Sequence, residues 1–186
     1  MSKIGEKQIV VPQGITVNID KKKVTIKGSH GEMMVELPEK LAVELKDSNL
    51  LVKRSDDQKK SKSVHGLYRQ LIENAINGVQ KLWEKKLKVV GTGYTVKLDK
   101  EDLVFKIGFS HPVVFRKVNG IKYQVEGNNK VTVLGYDKQK VGEIAYQIKL
   151  LKKPDVYKGK GIQYEGEKLR IKPGKKAKTA GGPAAA

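Results

Sequence analysis

Val24-Thr25-Ile26-Lys27-Gly28-Ser29-His30-Gly31 and Phe105-Lys106-Ile107-Gly108-Phe109-Ser110-His111-Pro112 are both strand-like runs that break at Ser-His followed by Gly or Pro. The parallel continues downstream. Leu41-Ala42-Val43-Glu44-Leu45 alternates as Ile121-Lys122-Tyr123-Gln124-Val125 does, the period-2 pattern of a half-buried strand. A polar turn follows in each copy, Lys46-Asp47-Ser48-Asn49 or Glu126-Gly127-Asn128-Asn129. Then come second strands, Leu50-Leu51-Val52-Lys53 and Val131-Thr132-Val133-Leu134, and the matching segments Asp56-Asp57-Gln58-Lys59 and Asp137-Lys138-Gln139-Lys140.

A helix closes each copy. Val64, Leu67, Leu71, Ala75 and Val79 recur at helical spacing in the first, and Val141, Ile144, Ala145 and Ile148 in the second. Gly78 and Pro154 read as stop signals. The first copy carries extra residues, Lys60 to Ser63, ahead of its helix. An ordered match of hairpin, Asp/Gln turn and helix reads as duplication. The expected architecture is α+β: two tandem duplicated domains, each an antiparallel sheet assembly packed with one helix. The boundaries are residues 1–80, residues 81–172, and a flexible tail at 173–186, basic and then rich in Ala and Gly. A long strand-like segment from Leu82 to Leu98, kinked at Gly91-Thr92-Gly93, opens the second domain.

The chain has 186 residues with 38 Lys+Arg against 20 Asp+Glu, a net charge of +18. Charge on this scale repels itself in a compact state and calls for a polyanion, whose condensed counterions are released on binding. The charge is uneven: residues 1–80 carry 14 basic and 10 acidic groups, 81–148 carry 13 and 7, and 149–186 carry 11 and 3. A polyanion should therefore meet the C-terminal third first. Hydrophobic residues make up 38% of the chain, which suits two small cores rather than one large one. Without cysteine there is no disulfide, thiolate metal site or Cys nucleophile. No stretch reaches the ~18 apolar residues of a membrane span. Met1-Ser2-Lys3-Ile4-Gly5-Glu6-Lys7 opens no signal-peptide pattern, so the expected compartment is the cytoplasm.

Catalytic signals are weak. His30, His65 and His111 lack mutual ligand spacing, so no metal is expected. His30 and His111 occupy equivalent turns, which favours a hydrogen-bonding structural role; His65 is placed to cap a helix or touch RNA. Gly91-Thr92-Gly93-Tyr94 lacks the third glycine and helix of a dinucleotide loop, and reads as a bulge or a close backbone approach. Gly159-Lys160-Gly161 lacks Walker spacing. Asp56-Asp57 and Glu101-Asp102 fall in turns and read as solvated charges rather than acid/base pairs. An RNA-modifying enzyme would need a nucleophile or acid/base set, and none is visible. A free RNA chaperone or DNA-architectural protein is the alternative binding class.

The informative stretch is Lys152-Lys153-Pro154-Asp155-Val156-Tyr157-Lys158-Gly159-Lys160-Gly161-Ile162. Glycines let backbone approach closely, lysines neutralise phosphates, and Tyr can stack on a base or bond a phosphate. Gly161 to Tyr164 and Lys168 to Lys172 are expected to form a hairpin after it.

Pro154-Asp155-Val156-Tyr157-Lys158-Gly159-Lys160-Gly161-Ile162 resembles the signature of the universal large-ribosomal-subunit protein six family, of bacterial type. The resemblance runs through Ser2-Lys3-Ile4-Gly5, Val24-Thr25-Ile26-Lys27-Gly28, His65-Gly66-Leu67-Tyr68-Arg69 and Val90-Gly91-Thr92-Gly93-Tyr94. It continues in Gly108-Phe109-Ser110-His111-Pro112 and Asp137-Lys138-Gln139-Lys140-Val141-Gly142, and covers nearly the whole chain. Thr92, where an aliphatic residue is commoner, and Tyr146, where a small one is, depart from the pattern and imply local repacking. The resemblance implies a duplicated α+β scaffold without catalysis or cofactor. It implies binding to large-subunit rRNA near the sarcin–ricin loop, beside neighbouring ribosomal proteins and the dock of translational GTPases, with no membrane partner. By that match Tyr157, Lys158, Gly159, Lys160 and Gly161 are rRNA-contact candidates. Lys152, Lys153, Arg170, Lys172, Lys175, Lys176 and Lys178 join them on charge and position.

Overall fold

Period-2 alternation sets down thirteen strands, and 3.6-residue periodicity two helices, among the described residues of the computed structural model, which are 3–20, 22–46 and 48–174. The first unit runs β1 (Ile9–Val10), β2 (Thr16–Asp20), β3 (Lys23–Gly28), β4 (Gly31–Glu36), β5 (Leu41–Lys46), β6 (Asn49–Arg54) and α1 (Lys59–Gln80). The second runs β7 (Trp83–Val90), β8 (Thr95–Asp99), β9 (Asp102–Lys106), β10 (Val113–Phe115), β11 (Ile121–Glu126), β12 (Lys130–Gly135), α2 (Lys138–Leu151) and β13 (Gly161–Tyr164). The order is the same in both: one strand, a three-strand meander, a hairpin, then a helix. Sheet pairing repeats too. β2-β3-β4 matches β8-β9-β10, and β1-β6-β5 matches β7-β12-β11, to which β13 adds an edge on β7. The α+β expectation of two tandem units holds.

Each unit buries its own core. Val24, Ile26, Leu50, Ile72, Ile76 and Val79 anchor the first; Leu87, Val96, Leu103, Phe105, Val133, Ile148 and Ile162 anchor the second. Asp137 starts α2 as a side-chain cap, accepting hydrogen bonds from the Gln139 and Lys140 amides at 2.8 and 3.4 Å. The buried face of α2 is Val141, Ile144, Ala145 and Ile148, as its periodicity implies.

Helix α1 departs from its reading. Lys60 to Ser63 are helical rather than an extra loop, which makes α1 22 residues long against 14 for α2. Its buried face is Ser61, His65, Arg69, Ile72, Ala75, Ile76 and Val79, and Leu67 is 54% exposed. The seam is rotated because it seats polar residues at one end. The His65 ring lies against Gly5, donates from Nε2 to the Val52 carbonyl at 2.8 Å, and accepts at Nδ1 from Arg54 at 3.0 Å. A carbonyl only accepts and a guanidinium only donates, so the ring proton sits on Nε2. Arg69 donates to the carbonyls of Lys7 and Gln8 at 3.2 and 3.4 Å, and pairs with Glu73. His65 therefore does not cap the helix, whose N-cap is Gln58, but is buried; with Arg69 it ties the N-terminal segment to α1.

Gly78 is not a stop signal. It lies inside α1, where an added Cβ would stand 2.0 Å from the Tyr136 carbonyl oxygen of the second unit. Around that contact Trp83 Nε1 donates to the Asn74 carbonyl at 3.1 Å, and Lys138 Nζ sits 4.4 Å from the Trp83 ring centre. The Leu82–Leu98 segment is two strands, β7 and β8, in different sheets; the chain turns at residues 91–94, where the Tyr94 amide donates to the Gly91 carbonyl at 3.2 Å. His30 and His111 are exposed. The described bond of His30 runs from its backbone amide to the Val79 carbonyl at 3.2 Å, and the His111 ring lies against Phe109 instead.

Two substitutions test this framework. Ala normally gains about 1 kcal/mol over Gly inside a helix; Gly78→Ala is expected instead to destabilise by about 1–3 kcal/mol in urea unfolding, because the Tyr136 backbone must move. His65→Ala leaves the Val52 carbonyl unpaired beside a cavity, and should cost about 2–4 kcal/mol in the same assay.

Candidate nucleic-acid interface

The basic C-terminal stretch begins where α2 must end. Pro154 has no amide to donate and biases Lys153 away from helical angles, so the chain leaves α2 at Lys152 in an extended conformation. It then closes a small loop. The Asp155 amide donates to the Lys160 carbonyl at 2.9 Å, and the Gly159 amide to the Asp155 carbonyl at 2.9 Å. The Asp155 carboxylate accepts from the Lys158 amide at 2.8 Å. The two arms of the loop cross at Gly161, with φ of 149°. A Cβ there would stand 2.7 Å from both the Lys153 carbonyl oxygen and the Pro154 Cα. Only glycine tolerates that approach. The next residue, Ile162, is fully buried in the second core and donates its amide to the Lys152 carbonyl at 2.8 Å.

The expected hairpin is absent. β13 pairs with β7 (Ile162 opposite Val89, Tyr164 opposite Leu87), and residues 168–172 form no strand. They cross back over the loop: the Lys172 amide donates to the Val156 carbonyl at 2.8 Å, and Leu169 and Ile171 lie beside the buried Gly159. A clasp holds this return. Lys149 Nζ reaches both Glu167 oxygens at 2.6 and 2.8 Å, and Glu167 also accepts the Tyr164 amide at 3.0 Å. Lys149 and Lys85 stand over the Tyr164 ring at 4.6 and 5.0 Å. The Lys149 ammonium, then the Tyr164 amide, hold the Glu167 carboxyl below the usual glutamate range.

The result is a hydrogen-bonded tip with exposed side chains. Val156, Tyr157 and Ile171 are about half exposed, so Tyr157 does not pack into its own sheet. Lys153, Lys158, Lys160, Arg170 and Lys172 are exposed and Lys152 is half-buried. None of these six cations is in an ion pair among the described residues, whereas Lys22, Lys23, Lys27, Lys40, Lys53, Arg54 and Arg69 of the first unit each face a carboxylate. Free positive charge is thus gathered on the second unit. Asp56, Asp57 and Glu101 are occupied by such pairs with Lys40, Arg54 and Lys117, and Asp102 accepts the Lys117 amide at 2.7 Å. Lys175, Lys176, Lys178 and the tail's expected flexibility lie outside the described residues.

Sequence reading omitted two segments that tertiary folding brings to the tip. Thr92, in the turn between β7 and β8, accepts from Lys160 Nζ at 3.3 Å. Phe109, in the loop between β9 and β10, lies under Lys152 Nζ at 4.6 Å from its ring centre. Both belong to the repeat and turn motifs already singled out, but nothing local in them signals proximity to the basic loop. Thr92 offers its hydroxyl to Lys160, and Tyr146 is 53% exposed on α2. No described helix is long and apolar enough to cross a membrane. A family model described as Ribosomal protein L6 matches the chain twice in tandem, over residues 11–82 and 90–165.

The clasp has a pH signature. A carboxyl depressed in the folded state stabilises above its unfolded value of about 4.5, and that contribution vanishes as pH falls through the lower folded-state value. Glu167→Gln should lower the urea midpoint at neutral pH and converge with the parent protein on acidification; a gap that persists at low pH would refute the assignment.

Proposed function

The chain belongs to the ribosomal protein L6 family, and from that premise we propose that its signature loop is the principal grip on large-subunit rRNA beside the sarcin–ricin loop, where translational GTPases dock. As a member of that family it is a structural protein of the large ribosomal subunit, it binds rRNA, and it is not an enzyme. The finer reading adds a role in subunit assembly and in supporting the factor-docking site, contacts with neighbouring ribosomal proteins, and residence on cytoplasmic ribosomes. It also assigns residues 1–80 to a first domain and 81–172 to the rRNA-binding second domain, with 173–186 as a basic tail.

One observation carries the choice of grip. Lys152, Lys153, Lys158 and Lys160 carry no paired carboxylate among the described residues, and they flank the exposed Tyr157 on a loop locked by the backbone crossing at Gly161. Charges already fixed by carboxylates gain little from a phosphate; unpaired ones on a rigid support release counterions without first breaking an ion pair. Pre-ordering also lowers the entropy lost on binding. Lys158 and Lys160 stand as phosphate contacts, Tyr157 as a stacking or phosphate-bonding group, and Gly159 and Gly161 as the residues that permit the approach. Arg170 and Lys172 extend the surface along the returning segment.

Changing Lys158 and Lys160 to Ala together should weaken binding to large-subunit rRNA and reduce the salt slope of log K by up to about 2. Tyr157→Ala should cost about 1–3 kcal/mol if the ring stacks on a base. Footprinting would give one protected rRNA region for this reading, and scattered weak protection for a free RNA chaperone.

A further inference from the structure

Three loops distant in sequence meet at the tip of the second unit, and together they hold an aromatic surface outside the signature. Lys160 bonds Thr92 in the first of them. The Tyr94 ring lies wedged between that turn and the next loop, 2.5 Å from where a Gly91 Cβ would be and 3.1 Å from where a Gly108 Cβ would be. Gly108 leads into Phe109, and Lys152 covers Phe109 from the end of α2. Contacts thus close a circuit from signature loop to turn to aromatic loop and back. Phe109, 47% exposed, lies nearly parallel to the exposed His111 ring, with centroids 6.5 Å apart and an interplanar angle of 20°. Both rings are left exposed and neither belongs to the second core, so the core does not explain them. The bases of single-stranded RNA stack on such surfaces, and nearby cations steer the backbone toward them.

We infer that Phe109 and His111 form a stacking platform for an unpaired rRNA base next to the phosphates held by the signature loop. Lys152 sets the ring of Phe109 and supplies positive charge at its edge, while Thr92 orients Lys160. The platform rests on the reading of the signature loop as the rRNA grip. It adds to that grip a contact that is insensitive to salt, because stacking releases no counterions.

The test measures binding of the full chain to a large-subunit rRNA transcript at several salt concentrations, with thermal unfolding as the folding control. Phe109→Leu keeps apolar bulk and removes the ring. It should weaken binding about 5- to 100-fold at unchanged salt slope, with Phe109→Trp restoring affinity and His111→Ala giving a loss of the same kind. Parent-like affinity of Phe109→Leu, alongside weakened Lys158→Ala/Lys160→Ala, would overturn the platform and leave the grip standing. A fall in salt slope with Phe109→Leu would also overturn it, since the ring would then act only by placing Lys152 on a phosphate. Absence of rRNA binding by the parent protein would remove both.

Discussion

At Gly161 two backbone segments pass closer than any side chain would allow, and the C-terminal surface is organised around that crossing. The incoming arm has just left α2 because Pro154 cannot continue it. The outgoing arm drops Ile162 into the second core and joins the sheet as β13. Between them the loop has no freedom to collapse onto its own sheet, since both ends are fixed within a few residues of each other. Its lysines and Tyr157 therefore remain in water. The same crossing sets the path of residues 165–172, which fold back over the loop and are pinned by Glu167 to Lys149 and the Tyr164 amide.

Duplication gave both units the same strand order, and they have used it differently. In the first, most described cations are matched to carboxylates and the polar end of α1 is spent internally: His65 and Arg69 hold backbone carbonyls of β6 and of the N-terminal segment. In the second, the helix is eight residues shorter, 14 against 22, and the chain released beyond it builds β13 and the basic loop. An additional edge on β7 is what lets the second sheet carry a feature the first lacks. The two are coupled where Gly78 of α1 meets the Tyr136 backbone, with Lys138 over Trp83 beside it. A contact at backbone distance leaves little room for either unit to slide on the other.

Much was legible from residue order because it depends on local physics. The repeated strand-turn-strand-helix pattern, the apolar stripe of α2 and the exit at Pro154 follow from period and the missing proline amide. Family membership was legible in the ordered motifs, and net charge made a polyanion the expected partner. The misreadings share one cause: residues whose partners are far away in sequence. Leu67 looked like seam because it is apolar, yet the seam goes to His65 and Arg69, whose partners are carbonyls at Val52, Lys7 and Gln8. Gly78 looked like a terminator because glycine ends helices, yet its reason is Tyr136. Lys168 to Lys172 looked like a strand, but β13 finds its hydrogen bonds on β7, which leaves no partner for it.

The sequence by itself determined the duplication, the fold class, the family and the stretch that would carry the charge. Duplication, fold class and charge are written in periodicity or composition, and the family in ordered motifs that resemble it; none of these needs a three-dimensional neighbour to be read. Tertiary structure alone decided which cations stay unpaired and which aromatic rings stand beside them. Ion pairing depends on cross-strand register, as between Lys27 and Glu32. The meeting of Thr92, Phe109 and the signature loop depends on where sheets place the ends of strands from separate parts of the chain.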